Sequence, residues 1–256
     1  MGSDDIKKKE ILANKAKRLK KKSQKNKSDD VSRRGDQLPE IPKILILTEG
    51  TSEVYYFESL IKMLRLSNLV DVEESDYTDD RGIIGEATTL GNEAKKNKLE
   101  YPYIFCIFDL DNVKNKSFYQ DIENYNSEDC QIIPILSYPC FETWLLLHYQ
   151  IHDAPFIKSG NKSVGDTAKD YLKSIYPEYN ETNEECIKNI ATNYRIAITH
   201  SEKLANRQME VNSINPITNV HTLVKLLIHI ADRDNNYEYE HKNLINPFIR
   251  DNLTSR

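Results

Sequence analysis

Residues 103–112 read Tyr103-Ile-Phe-Cys-Ile-Phe-Asp109-Leu-Asp111-Asn112. The run from Tyr103 to Phe108 has the β-branched and aromatic character of a buried strand, and it ends in two carboxylates. Residues i and i+2 of an extended segment point the same way, so Asp109 and Asp111 share one face while Leu110 turns back. Charge at the end of a buried strand is costly without a partner, which makes this end the first place to look for chemistry.

Upstream, Lys43-Ile-Leu-Ile-Leu-Thr48 is a second short apolar run, fitting a strand covered on both faces. Glu49-Gly50-Thr51-Ser52 supplies a turn and a helix start, and Glu53 to Leu66 follows with apolar residues at helical spacing. Val70-Asp-Val72 is a weaker strand and Ala87 to Leu99 a second helix. Ser117–Asn126 reads as a helix, then Gln131–Leu136 as a strand whose Pro134 calls for an edge or a bulge. Strand and helix alternate to about residue 150, as right-handed crossovers around a mostly parallel sheet require. Beyond it Gly165–Tyr176, Asn183–Glu210 and Val220–Asp232 read as helices, with no convincing strand; Asn215-Pro216 and Thr218 read as the start of the last one. The expected organisation is a basic flexible arm and linker (1–42), an α/β domain (43–150) and a helical extension packing on it (151–256).

Ligands of open α/β sheets bind beyond the carboxyl ends of the strands. Glu49 ends the first strand and Asp109 and Asp111 the third, so three carboxylates meet if those strands are neighbours. Two unit charges about 5 Å apart repel by about 3 kcal/mol at an effective dielectric of 20. A hard divalent cation relieves this, and oxygen-only ligation favours Mg²⁺ or Mn²⁺ over zinc. A lone Asp-x-Asp also caps turns; its coincidence with Glu49-Gly50 at the same end of alternating elements favours the metal.

Three segments, "ILILTEGTSEVYYFESLI", "YIFCIFDLDN" and "SYPCFETWLLLHY", together resemble the RloB family of prokaryotic Toprim-like proteins. Glu49-Gly50 and Asp109-Leu110-Asp111 match the Toprim signature, and "NPITNVHTLVKLL" (residues 215–227) resembles the family's C-terminal motif. Tyr138 departs from the Asn that relatives usually carry before Pro-Cys-Phe-Glu. The resemblance implies a Toprim-like sheet flanked by helices and a divalent-metal phosphoryl-transfer site, with Asp109 and Asp111 holding Mg²⁺ and Glu49 a third ligand or a general acid/base. It also implies an association with anti-phage, abortive-infection defence. Toprim domains serve topoisomerases, primases and nucleases; the chain is too short for the first and lacks modules of the second. The expectation is therefore a metal-dependent endonuclease, with RNA, tRNA included, favoured over DNA by the relatives alone. The alternative is a non-catalytic Toprim-like nucleotide- or nucleic-acid-binding adaptor that works with an ATPase partner.

Two further carboxylates join the candidate catalytic set. Glu53, on the first turn of its helix, either reaches the metal through water or favours the helix N-terminus. Glu142, between Phe141 and Trp144, is costly if buried alone and so points to the site, against a capping role. His148 shares a helix face with Trp144, and is either a hydrogen-bonded core histidine or a phosphate contact. Lys114 and Lys116 follow the Asp-x-Asp and are either phosphate contacts or solvated loop lysines.

Charge is unevenly spread. Residues 1–34 hold thirteen Lys/Arg and five Asp/Glu, a net +8, which leaves −13 for the rest of a chain whose total is −5. The arm, with Lys20, Lys21, Lys22, Arg33 and Arg34, puts lysine on every side of a helix and reads as unable to bury an apolar stripe. It is a candidate for sequence-blind phosphate binding, or a solubilising tail. No window approaches the roughly 20 apolar residues of a membrane span, and no apolar run follows the basic N-terminus as in a secretory signal. Four scattered cysteines without a CxxC pair suit free thiols in a reducing cytoplasm.

Overall fold

A computed structural model describes residues 10–19, 21, 43–96, 101–111, 117–127 and 130–232. A helix, α1 (10–19), precedes β1 (Ile44–Thr48), α2 (Thr51–Met63), β2 (Val70–Glu74), α3 (Asp80–Lys96) and β3 (Tyr103–Asp109). Then come α4 (Phe118–Tyr125), β4 (Gln131–Tyr138), α5 (Glu142–Leu146), α6 (Val164–Ile175), α7 (Glu184–Ala191), α8 (Tyr194–Glu210), β5 (Ile217–Thr218) and α9 (Val220–Asp232). The sheet order is β2-β1-β3-β4-β5, parallel except for β5. This is the α/β class the strand–helix alternation requires, with β1 and β3 side by side.

Alternation along the strands divides the apolar residues between two cores. Ile44, Ile46, Phe105, Ile107, Ile133 and Ile135 face α2 and the C-terminal helices, packing with Trp144, Leu172, Ile187, Leu204 and Leu223. Leu45, Leu47, Ile104, Cys106, Phe108 and Leu136 face the other way, onto α3, α4 and Leu19. The chain leaves β1 for β2 on one side and later crosses to β3 on the other. The strand order therefore reverses between β1 and β3, and a crevice opens at their carboxyl ends.

Four expectations need correction. The Asn183–Glu210 helix is two helices, broken at Thr192-Asn193. The second half also contributes a strand: Ile217 and Thr218 pair antiparallel with Tyr138 and Ser137. Pro134 therefore lies on the part of β4 that β5 does not cover, as its missing N–H demands. Asn215 does not start a helix; its amide bonds both ways to the backbone of Phe156, at 3.0 and 2.8 Å.

The fourth correction concerns the arm. Residues 10–19 are helical and bury Leu12, Ala16 and Leu19 at i, i+4 and i+7. Lys15 lies under the same helix, 8% exposed, donating to Glu86 at 2.5 Å and to the Glu74 carbonyl at 2.6 Å, while Arg18 pairs with Glu73. The expectation that the arm buries no stripe fails because the lysines hide one, and because one of them is itself a buried partner. Lys17 and Lys21 are exposed. Lys20, Lys22, Arg33, Arg34, Lys114 and Lys116 lie outside the described residues. Lys15→Met keeps the aliphatic stem and removes the counter-charge of Glu86. It should lower stability by about 2 kcal/mol, read as a lower urea midpoint at unchanged slope, with Lys17→Met as the silent control.

Candidate functional site

Asp109 is the last residue of β3, and its backbone N–H donates to the Glu49 carboxylate at 3.3 Å. The Asp109 carboxylate accepts from the Phe141 N–H at 2.8 Å, which ties it to the start of α5. Beyond β3 the chain turns while staying bonded to the β4 side, with the Leu110 N–H on the Ser137 carbonyl and the Asp111 N–H on that of Pro139. Burial raises the Asp109 carboxyl well above the usual range, and Glu53, Glu142, Glu49 and Asp111 add repulsion. Those neighbours are the other four carboxylates expected here. Sequence-distant β1, α2, β3 and α5 thus deliver charge to one place.

Glu53 is 4% exposed on the first turn of α2 and takes the Ser52 hydroxyl at 2.8 Å. Burial pushes its pKa up to about 7 against the pull of Ser52, with Glu142 and Glu49 adding to the rise. A side chain at Gly50 would sit 3.1 Å from the Glu53 carboxylate, so this turn takes glycine for close approach. Glu142, 3% exposed, is not left unpaired: Tyr179 donates its hydroxyl to Oε1 at 2.7 Å, and Lys169 Nζ lies 3.6 Å from the same oxygen.

Asp111 is half-buried on the side of α6. Burial raises its pKa, opposed by the Gly165 N–H and by Lys169. A Cβ at Gly165 would meet Asp111 Oδ2 at 2.8 Å, closer than real Cβ atoms approach. Gly165→Ala should therefore displace Asp111 while the capping box of Ser163 and Asp166 keeps α6 folded. Any reaction that depends on Asp111 should fall by about tenfold to a hundredfold with little change in circular dichroism, as for a misplaced group near the chemistry.

His148 belongs elsewhere, a correction to its candidacy as a phosphate contact. It is 2% exposed, beside Trp144 O (3.0 Å from Nδ1) and the Tyr56 hydroxyl (3.1 Å from Nε2). That pattern suits a neutral ring with the proton on Nδ1, and burial lowers its pKa to about 4. A helical turn on the apolar face of Trp144 aims it into the core.

The residues sequence reasoning missed come from the second half: Gly165, Lys169 and Tyr179. The Ser163-x-x-Asp166 capping box could have placed the start of α6. No local signal links Tyr179 to Glu142.

Five carboxylates fit a hard divalent cation by donor chemistry, with the nearby Cys140 thiol directed at the Gly165 carbonyl. Glu49, Asp109 and Asp111 are the residues that would hold it. Among the described residues no three His, Cys, Asp or Glu side chains stand arranged as a metal-ligand set. The four cysteines form no disulfide among the described residues, and Cys106, Cys140 and Cys186 are buried. No helix among the described residues is long and apolar enough to cross a membrane. A family model described as RloB-like protein matches residues 44–227. No curated protein and no solved structure matches the chain.

Proposed function

The chain belongs to the RloB-like family, and from that premise we propose that it is a divalent-metal-dependent endonuclease of prokaryotic anti-phage, abortive-infection defence. It would hydrolyse phosphodiester bonds in RNA, tRNA included, before DNA. The observation that carries the reading is the gathering of Glu49, Glu53, Asp109, Asp111 and Glu142 around the switch point of the sheet.

A bound Mg²⁺ or Mn²⁺ would polarise a phosphodiester oxygen and lower the pKa of an attacking water. Glu49, Asp109 and Asp111 hold the charge that such an ion requires. Phe141 N–H fixes one Asp109 oxygen and Tyr179 fixes one of Glu142, so both carboxylates are held in place at the site. Glu53, with a pKa of about 7, is suited to take a proton from water or return one to the leaving oxygen at neutral pH. A body charge of −13 repels nucleic acid, so the basic N-terminal segment, Lys17 and Lys21 included, supplies the attraction.

Purified protein incubated with labelled total RNA and with plasmid DNA, in Mg²⁺, Mn²⁺ or chelator, tests this directly. Cutting should require metal and vanish in Asp109→Asn; cutting that survives either removal refutes the reading. Among the described residues no three candidate ligands stand as a set, and that observation favours a second reading, the non-catalytic adaptor of an ATPase partner. Stoichiometric nucleotide binding without turnover would select it.

A further inference from the structure

We propose that Lys169 is the phosphate-contacting cation of this site, stored on Glu181 until a nucleic-acid phosphate takes that partner's place. The substrate class rests on the endonuclease reading; the placement of the lysine does not. Lys169 Nζ lies 2.7 Å from Glu181 Oε2 and 3.6 Å from Glu142 Oε1. It stands four residues after Gly165 on α6, one turn along the same face, so the lysine and the N–H that meets Asp111 look onto the carboxylates together.

The two partners of Lys169 differ in kind. Glu142 is 3% exposed and keeps the Tyr179 hydroxyl whether or not the lysine stays. The Glu181 side chain is 53% exposed and that of Lys169 36%, and an ion pair in such surroundings is weakly held. Exchanging Glu181 for a phosphate oxygen therefore costs little, and the stem of Lys169 need not leave α6. Nucleic acid arriving at five carboxylates meets repulsion, and a cation at their border gives one phosphate a favourable landing point.

Anisotropy of a fluorescein-labelled single-stranded RNA oligonucleotide, titrated with full-length protein in Ca²⁺ at fixed salt, reads this without turnover. Lys169→Ala should weaken binding by about tenfold and Lys169→Arg by no more than about threefold, since a guanidinium keeps the charge. Glu181→Gln frees the lysine at an exposed position and should tighten binding by about threefold. It must do so beyond Glu178→Gln, which removes the same charge from a nearby exposed residue. A Lys169→Ala affinity equal to wild type, or Glu181→Gln no tighter than Glu178→Gln, overturns the assignment and leaves the endonuclease reading standing. Wild-type protein that binds no oligonucleotide overturns both.

Discussion

Asp109→Asn is expected to abolish metal-dependent cleavage while leaving the fold intact, and to raise rather than lower the melting temperature measured without metal. Asparagine has nearly the same shape, and its Oδ1 can still accept the Phe141 N–H that fixes Asp109 at 2.8 Å. What disappears is a negative charge already disfavoured by burial and by Glu53, Glu142, Glu49 and Asp111. At an effective dielectric of 20 each close carboxylate pair costs about 3 kcal/mol if both are ionised. Partial protonation relieves some of this in the wild type, so a gain of about 1 kcal/mol is reasonable, or about 2–4 °C for a chain of this size. Activity moves the other way. Metal-assisted stabilisation of the transition state is worth several kcal/mol, so turnover should fall by about 10³-fold or more. Opposite signs in the two assays separate a functional cluster from a structural one, because a structural Asp would lose stability on replacement. A variant that melts lower and cuts normally would sink the site.

Most of this arrangement was legible, and the failures have physical causes. The ends of β1 and β3 could be read because both strands are apolar runs that stop at carboxylates. Their meeting depended on sheet order, which the strand–helix alternation constrains but does not set. The resemblance pointed to the same residues, and the family match spans them. α1 escaped because basic residues flank Ala16 and Leu19 on both sides, and the period of Leu12, Ala16 and Leu19 reads as noise until Lys15 is seen to pair with Glu86. β5 is two residues long, too short for any period. His148 followed its helix face into the core, as the spacing from Trp144 allowed. Lys169 and Tyr179 were invisible because their partner Glu142 is 27 and 37 residues away, and nothing local records such pairings.

The second large effect is on pH. Stability without metal should decline as pH rises from about 4.5 through about 7, and Glu53→Gln should flatten that decline. A glutamate in the unfolded chain releases its proton near 4.5, whereas burial and then the neighbouring carboxylates hold the proton on Glu53 up to about 7. Between those values the folded protein binds more protons than the unfolded chain. The contribution is therefore complete below about 4.5 and lost once pH has climbed through about 7. A gap of that width corresponds to about 3 kcal/mol. Asp109, raised by burial and the same neighbours, adds in the same direction. Glutamine is neutral throughout, so the variant should keep at pH 8 what the wild type keeps only at low pH. Mn²⁺ offers the cluster positive charge in place of protons. It should raise the wild-type melting temperature markedly at pH 8 and little at pH 5, where protons compete for the same oxygens. Thermal melts of both proteins at the two pH values, with and without Mn²⁺, read every part of this. Parallel pH profiles for wild type and Glu53→Gln would mean that Glu53 ionises like an exposed glutamate, and that the carboxylates stand too far apart to share either a proton or a cation.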